Sequence, residues 1–327
     1  MEERFVPLNT FIALCSSAKT GWPRPLFDAG FRLEAIEFPA LSAEGRVVVD
    51  AVAWSPTDAH FILGEAKSGA NIDETQAKKY SDVQAGTLVQ MLGVRLAKEA
   101  AFGSQAVYVV IEEHAERVVL GLKTAGVSFP VIAISEKFVR CLGGEFEHPS
   151  LAKSFASPLP VPGPPPGIIT IDADSSDEDF DRVVQTSLVA LLASHGPVIS
   201  VPNLAEDAVP YLPLYPNGYR HRLIRKVEDA ARRAVNAAPD TFSFTPSNSV
   251  SAVATIRVVE SPESLDPRGR TQRYQSLVTR FVSPSRRRLT VIASNQPSLF
   301  DDVNYNQELA ELDLVDENDV EEESNGP

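Results

Sequence analysis

Two short runs of mostly apolar residues stand out early in the chain, RVVVDAVAW (46–54) and HFILGEAKSG (60–69), joined by the turn-forming SPTDA. Runs of this length, rich in β-branched residues and bounded by turn residues, predict strands paired as a hairpin. LEAIEFPA (33–40) reads as a strand before them, and residues 71–100 carry apolar positions at helical spacing, predicting one long helix. The pattern then alternates: QAVYVVIEEH (105–114) as a strand, AERVVLGLKTAG (115–126) as a helix ending at glycine, FPVIAISE (129–136) as a strand and KFVRCLGG (137–144) as a short helix. Alternation of this kind after an antiparallel hairpin predicts an α/β unit, a mixed sheet with helices on its faces.

The pattern breaks at FASPLPVPGPPPG (155–167), whose prolines disfavour both helix and sheet interior and predict an extended, semi-rigid linker. The chain is therefore divided into a first domain over 1–154, the linker, a second domain over 168–294 and a tail over 295–327. In the second domain IITID (168–172) reads as a short strand and residues 174–196 as a helix with an acidic start. PNLAEDAV (202–209) predicts a short helix, NGYRHRLIRKVEDAARRAVNAA (217–238) a strongly basic one, and DTFSFTPS with SVSAVATIRVVE a hairpin. These are the parts of a winged-helix domain, and equally of a structural α+β domain with a solvated basic helix.

Chemistry concentrates on the first hairpin. Asp50 lies on one predicted strand and Glu65 and Lys67 on the next, the last two on one face because side chains alternate along a strand. Two carboxylates can hold a hard divalent cation, and the ammonium adds a compact positive charge for a phosphate or an attacking water. That combination suits metal-assisted phosphodiester hydrolysis. A structural ion pair between Glu65 and Lys67 is the plain alternative. Asp58 in the turn and Asp73 at a helix start have local structural explanations.

On the following helix Gln76 and Tyr80 stand four apart, on one face. Asp, then Glu-x-Lys, then Gln-x-x-x-Tyr on a helix resembles the PD-(D/E)xK nuclease superfamily, in particular its RecB-like branch, over roughly residues 30–140. The resemblance implies a restriction-endonuclease-like core and a Mg²⁺- or Mn²⁺-dependent deoxyribonuclease. It makes Asp50 and Glu65 metal ligands with the Ala66 carbonyl, Lys67 the residue that orients or activates the nucleophile, and Gln76 the residue that steadies the site. Relatives of this kind work in DNA repair, mobile-element biology and antiphage defence. Many also carry a glutamate on an early helix; here Glu2, Glu3, Glu34 and Glu37 are all available, and Glu34 and Glu37 fall on a predicted strand.

A net charge of -14 argues against DNA binding until its distribution is examined. Residues 301–323 hold eleven acids and no Lys or Arg, leaving -14 + 11 = -3 for the rest. Residues 217–290 hold fourteen Lys or Arg against six acids, an excess of 14 - 6 = +8. Such a basic module predicts polyanion binding, with Arg220, Arg222, Arg225, Lys226, Arg232 and Arg233 on the basic helix as DNA contacts. The tail beyond 295 carries too little apolar content to order itself. Just ahead of its acidic stretch, Gln296-Pro297-Ser298-Leu299-Phe300 resembles the short peptide with which bacterial replication and repair proteins dock on the DNA sliding clamp, which would make Gln296, Leu299 and Phe300 partner contacts. No apolar run reaches the roughly 18 residues of a bilayer span. The acidic MEERF start lacks the basic residues of a secretory signal, and Cys15 and Cys141 have no ligand spacing, so a reduced, cytoplasmic protein is expected. A non-catalytic DNA-binding adaptor on a nuclease-like fold is the alternative to the enzyme.

Overall fold

The computed structural model describes residues 2–18, 20–94, 102–193, 198–247 and 253–259. It divides into two compact units, one built on Met1–Thr170 and the other on Ile171–Pro213 together with the described residues from Asn217 on. The arginines from 268 to 288, the Gln296–Phe300 peptide and the acidic tail lie outside the described residues.

The first unit opens with α1 (Val6–Cys15) and the short α2 (Pro25–Asp28), followed by three long strands, β1 (Arg32–Ser42), β2 (Gly45–Ser55) and β3 (His60–Lys67). Next come α3 (Glu74–Ser81) and α4 (Ala85–Leu92), then β4 (Gly103–Ile111), α5 (Glu112–Thr124), β5 (Pro130–Ile134), β6 (Phe138–Gly143), α6 (Pro149–Ser154) and the two-residue β7 (Leu159–Pro160). The strands form one sheet in sequence order. β1, β2 and β3 pair antiparallel, β3, β4 and β5 pair parallel, and β6 and β7 return antiparallel. The expected mixed sheet is present, with helices carrying the parallel crossovers.

Three expectations fail here, each for a local reason. KFVRCLGG is the strand β6, because Ser135 Oγ accepts the N–H groups of Lys137 and Phe138 and closes a tight turn that feeds a hairpin with β5. The long helix over 71–100 is two helices: the chain turns at Asp82–Gln84, which buries Val83. The proline-rich segment is no spacer. Its residues add β7 to the sheet edge, Trp22 donates its indole N–H to the Pro164 carbonyl at 3.1 Å, and the buried Asn9 side chain bonds the backbone of Ile168 and Ile169. The prolines remove donors from a chain that runs along its own domain and is held by side chains.

The second unit holds α7 (Asp177–Ala193), β8 (Val198–Ser200), α8 (Val201–Ala208), α9 (Asn217–Ala237), β9 (Phe242–Thr245) and β10 (Thr255–Val258). Its sheet is ordered β8-β10-β9, with β10 antiparallel to both neighbours. Three helices pack mutually around Phe180, Val184, Leu188, Leu204, Leu223 and Val227, all buried. The strand expected at IITID does not form, and β8, a strand of three residues, has too short a pattern to be seen in sequence. No described helix is long and apolar enough to cross a membrane.

Candidate active site

The β1–β2 hairpin turns at Ala43–Glu44, pairing Ser42 with Gly45, and this fixes the strand register. Further up, Ile36 pairs with Ala51 and Phe38 with Val49, so Glu37 falls opposite Asp50. On the other side Ala51 pairs with Gly64, so the next step along the hairpin sets Asp50 beside Glu65. Glu65 in turn pairs with Tyr108 on β4. A single transverse row across four strands thus reads Glu37, Asp50, Glu65, Tyr108.

All four are buried. Asp50 Oδ2 accepts the Ala66 N–H at 2.6 Å. Lys67 Nζ lies 3.0 Å from Glu65 Oε1 and donates to Gln76 Oε1 at 3.2 Å. Tyr80 donates its phenolic hydrogen to Glu65 Oε2, and its oxygen stands 2.8 Å from the Val48 carbonyl. Asp73 accepts the N–H groups of Thr75 and Gln76, capping α3 and fixing the turn from which Gln76 and Tyr80 reach the sheet. The structure therefore brings together Asp50, Glu65, Lys67 and Gln76, the residues expected from sequence, and joins Tyr80 to them. Asp58 accepts from Ser55 in the β2–β3 turn and takes no part.

Glu37 is the residue that sequence reasoning left undecided among four. It sits in left-handed backbone (φ 53°) within β1, a conformation that costs a non-glycine residue energy. Its signal was present: the two-residue turn sets the sum of paired positions, and that sum names residue 37 as the partner of Asp50.

Burial holds the Asp50 carboxyl well above the usual carboxylate range, the neighbouring Glu65 and Glu37 charges push it further, and the Ala66 N–H and Lys67 oppose them. Burial likewise raises the Tyr80 phenol, followed by the Glu65 and Asp50 charges, so it remains a neutral donor. Among the described residues, the Glu37, Asp50 and Glu65 carboxyls share this row beside the Lys67 ammonium. Clustered carboxyl oxygens of this kind could hold a hard cation such as Mg²⁺ or Mn²⁺. Among the described residues no group of three or more His, Cys, Asp or Glu side chains is already arranged to hold a metal.

The basic helix α9 divides into two faces. Arg222 pairs with Asp174 at 3.8 Å, Lys226 donates to the Ser175 carbonyl at 3.0 Å and lies over the Phe180 ring, and Arg233 bonds Asp181 at 2.8 Å. Arg222 and Arg233 thus pair with acids at the start of α7 and in the turn before it, and Lys226 is held by a carbonyl and a ring, so these three expected DNA contacts are all engaged within their own unit. The helix period turns them inward, and α7 supplies acids on the facing side. Arg225 is exposed, Arg232 is exposed and stacks on Phe244 while pairing with Glu228, and Arg220 bonds Asn217. No protein-family model, curated protein or solved structure matches the chain.

Proposed function

We propose that the first unit is a metal-dependent DNA nuclease of the PD-(D/E)xK kind. The observation that carries this reading is the convergence of Asp50, Glu65 and Lys67, all buried, and the half-buried Gln76 from two strands and a helix into one cluster. Asp50 and Glu65, with the Ala66 carbonyl, would hold Mg²⁺ or Mn²⁺. Such an ion would supply positive charge for the phosphate and lower the pKa of an attacking water. Lys67 presents its ammonium to that water or to a phosphate oxygen, Gln76 fixes where the ammonium points, and Tyr80 fixes Glu65.

The second unit is read as a winged-helix DNA-binding module. Its order of helix, strand, two helices and hairpin, with the first strand completing the sheet, supports that reading, as does the outward face of α9 bearing Arg225 and Arg232. One observation favours a second reading, the non-catalytic adaptor: Lys67 is already tied to Glu65, as in a structural ion pair. Incubation of the purified chain with supercoiled, linear, single-stranded and branched DNA, in Mg²⁺, Mn²⁺ or EDTA, separates the two. Cleavage that needs metal supports the nuclease; binding without cleavage in every condition supports the adaptor.

A further inference from the structure

Tyr108 closes the transverse row on β4 and has no part in the nuclease reading so far. It is wholly buried, and among the described residues its hydroxyl has no hydrogen-bond partner. Its ring is held from two sides, edge-on to Tyr80 with centroids 6.3 Å apart and stacked on Phe129 at 6.1 Å. Burial raises its phenol, followed by the charges of Glu65, Asp50 and Asp73, so the group is a neutral donor lying in the field of these carboxylates. A hydroxyl buried with no acceptor costs stability, and phenylalanine would fill the same space without that cost. The oxygen therefore calls for a use outside the folded resting arrangement.

Glu65 supplies the use. Both its oxygens are engaged, Oε1 by Lys67 and Oε2 by Tyr80, and a cation must compete for the same two atoms. A donor on the adjacent strand, in register with Glu65 and held rigidly, is placed to secure the carboxylate once one of those bonds is given up.

We infer that Tyr108 is a positioning residue whose hydroxyl holds Glu65 in its metal-binding state. The inference rests on the nuclease reading and deepens it, since Tyr108 touches neither DNA nor the reacting atoms.

The test is Tyr108→Phe in the full chain, with two readouts: the melting temperature in EDTA, and Mn²⁺ affinity by titration calorimetry. The hydroxyl is idle without metal, so melting in EDTA should be unchanged or a few degrees higher. Mn²⁺ should bind about ten-fold more weakly, the loss expected for one hydrogen bond to a charged group. A purely structural tyrosine gives the opposite pattern, a lower melting temperature with unchanged affinity, and that result overturns the inference. Equal affinity at equal stability also overturns it. Should the wild-type chain itself neither bind Mn²⁺ nor cleave DNA, the nuclease reading fails and this inference with it; Mn²⁺ binding by wild type that Tyr108→Phe leaves intact defeats the inference alone.

Discussion

Replacing Asp50 by asparagine should stabilise the metal-free protein while abolishing its response to metal. Asp50 is 4% exposed and lies between Glu65 and Glu37 in the row of acids. Asparagine keeps an oxygen for the Ala66 N–H, removes the charge and offers an amide donor to a neighbouring carboxylate. At a pH above the raised Asp50 pKa, loss of a buried like-charge contact and gain of a hydrogen bond to a charged group together amount to about 2 kcal/mol. For a unit of this size that is a rise of roughly 4–8 °C in melting temperature. The sign has a pH signature. The Asp50 carboxyl is raised above its ordinary value, so the native wild type binds more protons than the unfolded chain in that window and loses stability as pH rises through it. The asparagine variant lacks that slope, and its advantage should widen with pH. Both tryptophans, Trp22 and Trp54, lie in the first unit and are buried, so their fluorescence follows this unit alone. Saturating Mn²⁺ at a hundred times its Kd should stabilise wild type by about 2.7 kcal/mol and close or reverse the gap. A variant that melts below wild type in EDTA, or gains as much from Mn²⁺, refutes the argument.

Other outcomes follow from the packing. Gly64→Ala would set a methyl group 2.8 Å from the Phe11 ring of α1, so overpacking should cost about 1–3 kcal/mol and shift Glu65 with its strand, which chemical denaturation and cleavage assays would both register. On α9, Arg225→Ala with Arg232→Ala should weaken DNA binding and flatten its salt dependence while sparing the fold; Arg233→Ala should mainly lower thermal stability through Asp181, and equal effects on binding from both would contradict the two-face reading. His60 sits against Phe31 and His148 near Asp58, and burial, then His148, lowers its imidazole below the ordinary 6.5 while Asp58 opposes them. The native state therefore resists protonation that the unfolded chain accepts, stability should fall as pH drops from about 7 towards 5, and His60→Phe should reduce that fall in tryptophan-monitored melts.

The first unit was legible where residues are constrained on two scales at once. Strands β1 to β5 are long enough for composition to identify them, and Asp50, Glu65, Lys67 and Gln76 lie on elements whose periods predict their faces. β6 was misread because six residues fit either period, and only the Ser135 turn decides between them. The proline-rich stretch was misread because composition gives no hint that Trp22 would hold it and Asn9 the residues just after it. Glu37 was recoverable from the hairpin register, whereas the Tyr108 hydroxyl was not, since nothing along β4 marks an orphaned oxygen. The inward turn of Arg222, Lys226 and Arg233 depends on Asp174, the Ser175 carbonyl and Asp181, far away in sequence, which local charge counting overlooks.

Whether the cluster cuts DNA with metal, as proposed, is decided by one comparison. Wild type, Asp50→Asn, Glu65→Gln and Lys67→Ala should be compared on the same DNA panel in Mg²⁺ or Mn²⁺, with folding checked by fluorescence. The account predicts metal-dependent cleavage by wild type, reduced at least about a thousandfold in each variant with DNA binding retained. Cleavage by well-purified Glu65→Gln at the wild-type rate would contradict it.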